Sequence, residues 1–436
     1  MKLALLVENG FAIVLPIVIS MLITDTMINQ VSDFLAPQLI SNFGIALFTS
    51  FVVIFGISQY FILSYSRKKL RYRYAASLST KIMDNAIVIV QIFLVLINLV
   101  ILVQILFLSR YYTFLLIIMT VVSYSAALGA ISYFAYKFLS WYFVNKHSLI
   151  VLLYGISFAL LSLISLMGLG LDLYNFGLKP PEIYPTTSVE FPSYEEGTIL
   201  NSIDLSFQYL DLVSFVIVWG SSALLLREYI HKWRLRHWVL ICVPLVYFLG
   251  SFVDYTGLYV PTSDSELFSY YLYSSLNSTA GGLLFAFAFL LVARNIHSVI
   301  IKNYMELSAY GFVLLFISNQ VFLVASSFPP FGTVTISFYG LASYLIVRGL
   351  YASAVSVSQD VVLRKSIKRS IIRRSELLGS IGQAEMHQQT EKWVKDVDKR
   401  DLKSDIPSSM TREEVVAYIQ ETVNEVSKLK RKNNSV

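Results

Sequence analysis

About ten stretches of roughly twenty apolar residues recur along this chain, and a segment of that length crosses the hydrocarbon of a bilayer as a helix. They run approximately over Leu3 to Ile23, Phe43 to Leu63, Ala86 to Leu108, Phe114 to Tyr136, Leu149 to Leu171, Ser206 to Leu226, Trp238 to Leu258, Tyr270 to Ala293, Leu307 to Ser326 and Ile336 to Val357. In lipid, backbone polar groups have no water to bond, so each span must satisfy its own. The expected fold class is therefore all-α, a polytopic transmembrane helical bundle. Composition agrees: charged residues are 14%, against about a quarter in a globular domain, and mean hydropathy is +0.64.

Two spans carry interruptions. Glu8, Asn9 and Gly10, with Pro16 beyond, break the first, and the polar run Ser274 to Gly282 breaks the eighth, so each is expected to be shortened or broken. Lys2 ahead of the first span has the look of a signal peptide, but no small-residue cleavage site follows, and the span reads as a retained anchor. The single cysteine, Cys242, lies within the seventh span and offers no disulfide for the loops.

Orientation follows from the lysines and arginines, which hold short loops on the cytoplasmic side. With the N-terminus inside, the cytoplasmic segments receive Arg67, Lys68, Lys69, Arg71 and Arg73, later Arg227, Lys232, Arg234 and Arg236, and then the basic tail, while the outer loops receive only Arg110 and Lys179. The expected organisation is five spans over residues 1–171, an acidic extracytoplasmic loop over 172–205, five more spans over 206–357, and a cytoplasmic tail over 358–436 in a cell-membrane protein with both termini inside. The loop holds Asp172, Glu182, Glu190, Glu195, Glu196 and Asp204. It serves as a solvated linker or as an acidic lid that gathers cations. A sequon at Asn277-Ser278-Thr279 falls against the eighth span.

Ionisable residues within spans are costly enough that each marks a candidate site. Asp211, Asp254, Asn319, Gln320 and Arg348 are expected to meet in one layer of the outer leaflet as a ligand or ion pocket, with Arg348 reaching outward toward the aspartates. A purely structural pairing of Arg348 with one Asp competes with that reading. In the first half, Gln91 and Asn98 share a helix face suited to interhelical hydrogen bonds, and Ser125 and Gly129 with Ala126, Ala127 and Ala130 form a small surface for close helix approach.

No enzyme is expected. Two intramembrane aspartates resemble an aspartyl-protease pair, but Leu210 stands where that family has Tyr, and no Gly-x-Gly precedes Asp254. The histidines, His147, His231, His237, His297 and His387, have no metal-ligand spacing, and there is no nucleophile elbow, P-loop or zincin motif, so no metal, cofactor or nucleic-acid partner is expected.

The tail begins with Arg364, Lys365, Lys368, Arg369, Arg373 and Arg374 around an apolar face of Leu363, Ile367, Ile371 and Leu378. That pattern suits the bilayer surface and its anionic lipid head groups, or pairing with a second copy through Ile367, Ile371, Leu378 and Ile381. A second helix opens at Thr411 with Glu414 as a capping box and carries a stripe of Val415, Ile419, Val426 and Leu429. A stripe of that width needs a cover, either a homo-oligomer partner or a cytosolic protein. The juxtamembrane Ser-Ile-x-x-Ser-Ile run and the turn Leu377-Leu378-Gly379-Ser380-Ile381-Gly382, within Ile336 to Trp393, resemble uncharacterised archaeal multi-pass proteins, some of which are similar to input modules of sensor kinases. The resemblance implies a sensor-like layout without the kinase, since His387 lacks the acidic neighbour and proline of a phosphoacceptor box. The expected function is thus a membrane sensor or scaffold with a polar outer pocket and an interaction tail. The alternative is a secondary transporter of two inverted five-span halves.

A reporter fused after Val436 and another inserted near Thr186 are expected on opposite sides of the membrane. Accessibility labelling that finds both on one side overturns the orientation.

Overall fold

The computed structural model describes residues 2–70, 78–144, 146, 148–187, 197–229, 264–294, 296, 298–319, 321, 323–359 and 376–398. The chain opens with α1 (Lys2–Gln30), a short α2 (Ser32–Leu39), α3 (Asn42–Leu70) and α4 (Leu78–Leu108). Strand β1 (Tyr111–Tyr112) leads into α5 (Thr113–Val144), which is followed by α6 (Leu149–Leu178), β2 (Glu182–Ile183) and α7 (Ile199–Tyr229). Then come α8 (Asp264–Arg294), α9 (Val299–Ser318), the 3-10 turn Leu323–Ala325, α10 (Thr333–Ser337), α11 (Tyr339–Gln359) and α12 (Glu376–Asp398).

Among the described residues, seven helical stretches are long and apolar enough to cross a membrane, and Val14–Gln30 and Gly282–Arg294 add shorter apolar ones. The architecture is that of a multi-pass membrane protein. Its outer face fits that reading: on α4 the exposed residues Ile89, Ile92, Leu96, Val103 and Phe107 are as apolar as the buried Leu94, Ile97, Ile101 and Ile105. A continuous apolar exterior of this kind suits lipid contact.

Neither expected interruption is present. Helix α1 runs unbroken through Pro16, and α8 is continuous across Ser274 to Gly282. The expected seventh span, Trp238 to Leu258, lies outside the described residues.

The bundle is organised around α11, whose residues are buried almost throughout and which packs against α5, α9, α4 and α12. Helices α9 and α11 touch closely enough that a Cβ at Gly349 would stand 2.1 Å from the Ser308 hydroxyl and 2.5 Å from the Tyr304 carbonyl. On the other side Ala126 of α5 faces Gly340, where a Cβ would come within 2.8 Å of it. The small surface predicted on α5 is therefore used through Ala126, Ala127 and Ala130, while Ser125 and Gly129 face outward.

The real break in helical structure falls between α9 and α11. From Asn319 the chain leaves helix, passes through the 3-10 turn and a cis Phe328-Pro329 bond, and re-enters helix at α10. Buried backbone outside a helix must find partners for its N–H and C=O groups. Helix α1 and the start of α2 supply several: Asn29 Nδ2 donates to the Phe331 carbonyl at 2.9 Å and Ser32 Oγ to the Ala325 carbonyl at 3.2 Å. Asp25 Oδ1 accepts from Gly332 N at 2.9 Å, and its Oδ2 accepts from Thr335 N at 3.0 Å and Thr335 Oγ1 at 2.7 Å. Gly332 is the N-cap of α10 with φ 95, so Asp25 acts as a capping carboxylate borrowed from the far end of the chain. Gln91 and Asn98 of α4 both bond Ser337, the first to its carbonyl and the second to its hydroxyl, each at 3.2 Å, which is the interhelical use expected of that face. Aromatic packing closes the wall: Phe331 stands edge-on to Phe48 at 5.6 Å, and Phe338 edge-on to Phe55 at 5.3 Å.

One end of the bundle carries the β1–β2 pair, with Tyr111 opposite Ile183 and Tyr112 opposite Glu182. The expected acidic loop is correspondingly shorter than 172–205, because α6 continues to Leu178 and α7 begins at Ile199. Asp172 and Asp204 are helical residues. Arg110 Nη1 meets Glu182 Oε2 at 2.6 Å, and the Tyr184 hydroxyl also donates to that oxygen. Tyr184 first, and Arg110 after it, hold the Glu182 carboxyl below the usual glutamate range of 4.5. The sign is that of a carboxylate favoured in the fold: the clamp is complete above that ordinary value and weakens only as pH falls through the lowered one.

Candidate functional site

The polar groups inside the bundle sort into three places along α11. At its start, the Tyr339 hydroxyl shares a 2.5 Å hydrogen bond with Ser165 of α6, and its ring stands edge-on to Tyr124 of α5 at 5.2 Å. Tyr124 in turn donates its hydroxyl to the buried Asp172 carboxylate. Asp211 of α7 lies near enough to the Tyr339 hydroxyl to act on it electrostatically. Among the described residues its carboxylate has no hydrogen-bond partner, and its side chain is only partly buried. It sits twelve residues along α7, about 18 Å from the start of that helix, which begins at Ile199 and not at Ser206.

Midway along α11, Arg348 turns away from that cluster. Its Nη2 donates to Asp84 Oδ2 at 3.0 Å, its Nε lies 2.8 Å from Asp84 Oδ1, and the Tyr344 hydroxyl donates to the same Oδ1 at 2.9 Å. This fork engages a carboxylate near the start of α4, a turn and a half into that helix. The reach of Arg348 toward Asp211 and Asp254 is thereby corrected: the guanidinium is committed to a partner in the first half of the chain.

The third place is the far end of α11, where α12 is seated. Leu377, Leu378, Ile381 and Ala384 are fully buried, and a Cβ on Gly382 would fall 2.3 Å from Val357. Glu385, 3% exposed, accepts from the Trp141 indole at 2.9 Å, has Lys137 Nζ at 3.9 Å and receives the Tyr351 hydroxyl at 3.5 Å. Gln388 Nε2 donates to the Ser140 hydroxyl at 2.5 Å. The Leu377 to Gly382 stretch is thus the first turns of a helix, and Leu378 and Ile381 face α5 and α11 instead of a second tail.

Of the remaining expected site residues, Asn319 ends α9 as its C-cap, donating its backbone N–H to the Leu315 carbonyl. Asp254, Gln320, the basic residues Arg364, Lys365, Lys368, Arg369, Arg373 and Arg374, and the stripe Val415, Ile419, Val426 and Leu429 lie outside the described residues.

Four important carboxylates escaped sequence reasoning for identifiable reasons. Asp84 stands two residues before the span expected to begin at Ala86, and Asp172 one residue past the span expected to end at Leu171. Asp25 likewise lies just beyond a span end, and Glu385 lies in the tail past the apolar face expected to meet the bilayer surface or a second copy. Charges at the margins of apolar runs were signals of burial that a hydropathy boundary hides. Tyrosine carried no signal because the chain holds 28 of them.

Chemically, the Asp211 end offers a carboxylate without a hydrogen-bond partner among the described residues, within electrostatic reach of a phenol, a set that takes a cation or a hydrogen-bond donor. Among the described residues no group of three metal-ligating side chains gathers. No family model, curated protein or solved structure matches the chain.

Replacing Arg348 with Leu leaves Asp84 without its cation and is expected to lower stability by about 2 kcal/mol, while Arg348→Leu with Asp84→Leu costs less than the single change. Unfolding curves in detergent check this, and equal losses in both variants contradict the pairing.

Proposed function

We propose that the protein is a membrane sensor or scaffold in which α11 links an intramembrane polar site to the segment that leaves the bundle. The observation that carries this reading is the seating of α12 on the end of α11. Tyr339 at one end of that helix bonds Ser165 and lies within electrostatic reach of Asp211, and Tyr351 and Val357 at the other support Glu385 and Gly382. A ligand that bonds the Asp211 carboxylate would act on Tyr339, and any shift or rotation of α11 would alter the surface that α12 grips. Helix shifts of about 1 to 2 Å at such interfaces are a known means of switching. By the positive-inside expectation α12 lies on the cytoplasmic side of a cell-membrane bundle, where Arg364, Lys365, Lys368, Arg369, Arg373 and Arg374 would meet anionic lipid and the stripe Val415, Ile419, Val426 and Leu429 a cytosolic partner or a second copy.

A secondary transporter is the second reading, favoured by the buried break between α9 and α11, since carriers place their sites at discontinuous helices. Against it, the N-terminus of α10 is already occupied by Asp25 and is not open to a substrate anion.

Coupling is tested by disulfide trapping of Ser140→Cys with Gln388→Cys in a Cys242→Ser background. The pair is expected to cross-link, and Asp211→Asn or Tyr339→Phe is expected to change the rate at least threefold. Unchanged rates in both variants remove the link between site and tail.

A further inference from the structure

A second polar site lies away from α11, in a groove between α3 and α4 that encloses about 340 Å³. Gln59 lines it, is 3% exposed, and has no hydrogen-bond partner for either its Nε2 or its Oε1. Gln91, 1% exposed, lines it too; its Nε2 is spent on Ser337, but its Oε1 is unpartnered. Orphaned amide groups in apolar surroundings are expensive, and a donor left unpaired more so than a carbonyl. Three such atoms on two residues that line one groove point to something that bonds them once a side chain turns toward it.

Water alone is a poor occupant. At about 30 Å³ per molecule the groove would take roughly eleven waters. Its walls are largely apolar, including Leu63, Val88, Ile92 and Val95, and Ile92 and Leu96 belong to the exposed apolar face of α4. The groove therefore opens where lipid would be. Arg67 lines one end, two helical turns from Gln59 and about 12 Å along the axis. A long side chain of this kind bridges part of that distance.

We propose that the α3–α4 groove binds an anionic phospholipid of the surrounding membrane, with its phosphate at Arg67, its linkage oxygens at the Gln59 amide, and one chain along Val88, Ile92 and Val95. The lining suits the occupant: a cation stands at the end of α3, and two neutral amides stand deeper among apolar walls. Because Gln91 also holds Ser337, the bound lipid would brace the same residue that closes α10.

Native mass spectrometry of the full-length protein, titrated with phosphatidylglycerol and with phosphatidylcholine, tests this. One phosphatidylglycerol adduct is expected to survive in preference to phosphatidylcholine, and Arg67→Gln is expected to erase the preference. Gln59→Leu, which removes the orphaned amide while keeping its bulk, is expected to weaken the adduct about tenfold, the cost of one charge-assisted or well-buried hydrogen bond, without lowering the melting temperature. Should that variant fold poorly, Gln59→Glu, which sets a negative charge toward the phosphate, is expected to weaken it as well. Equal binding of the two lipids by the unaltered protein overturns the proposal, as does an undiminished phosphatidylglycerol adduct in the Arg67 and Gln59 variants.

Discussion

A carboxylate seated on the N-terminus of a five-residue helix holds the interior of this bundle together. Between α9 and α11 the backbone abandons helix while still buried, and each exposed N–H there would otherwise cost what an unmade hydrogen bond costs. Asp25 answers three donors of α10 at once and brings a negative charge to the positive end of that helix dipole. In exchange, the charge of Asp25 is itself satisfied, so neither group stands alone in an apolar interior. Asn29 and Ser32, one and two turns further along the chain, extend the same arrangement to Phe331 and Ala325. The first span is thereby bound to the last, and α11 starts from a fixed point.

From that fixed point α11 carries three polar stations in succession: Tyr339 with Ser165 and the Asp211 region, Arg348 with Asp84, and Tyr351 with Glu385. Each joins α11 to a different neighbour, α6, α4 and α12. The Arg348 guanidinium is nearly buried, donates one hydrogen bond to Asp84 and holds its Nε 2.8 Å from the other carboxylate oxygen, which restrains the rotation of α11. Close approach at Gly349 and Gly340 restrains it further, since neither site has room for a side chain. The proposed sensor role rests on this helix because it is held by neighbours along its length.

The bundle was legible in the apolar runs themselves, because spans of membrane length admit little besides helices. Gln91 and Asn98 were also legible, since their spacing set both on one face and both reach Ser337. What the chain alone concealed was which charge meets which. Arg348 had two aspartates at plausible depth in its own half, and nothing in its neighbourhood pointed to Asp84, more than 250 residues away. The discontinuity was misplaced for a related reason. Gly10, Pro16 and the polar run in α8 are weak helix formers, yet a helix in a tight bundle tolerates them. The ninth span was expected to run on to Ser326, whereas α9 ends at Ser318, and the departure from helix there depends on partners supplied by α1 and α2.

Hydrogen exchange at the Gly332 and Thr335 amides, followed by mass spectrometry of the protein in nanodiscs, measures the central claim most directly. If Asp25 caps α10, both amides exchange as slowly as those of α9 and α11, and Asp25→Ala speeds them by at least a hundredfold, the loss of one buried bond of about 3 kcal/mol, while α5 and α6 are unaffected. Rapid exchange of these amides in the unaltered protein, with the flanking helices still protected, would contradict it.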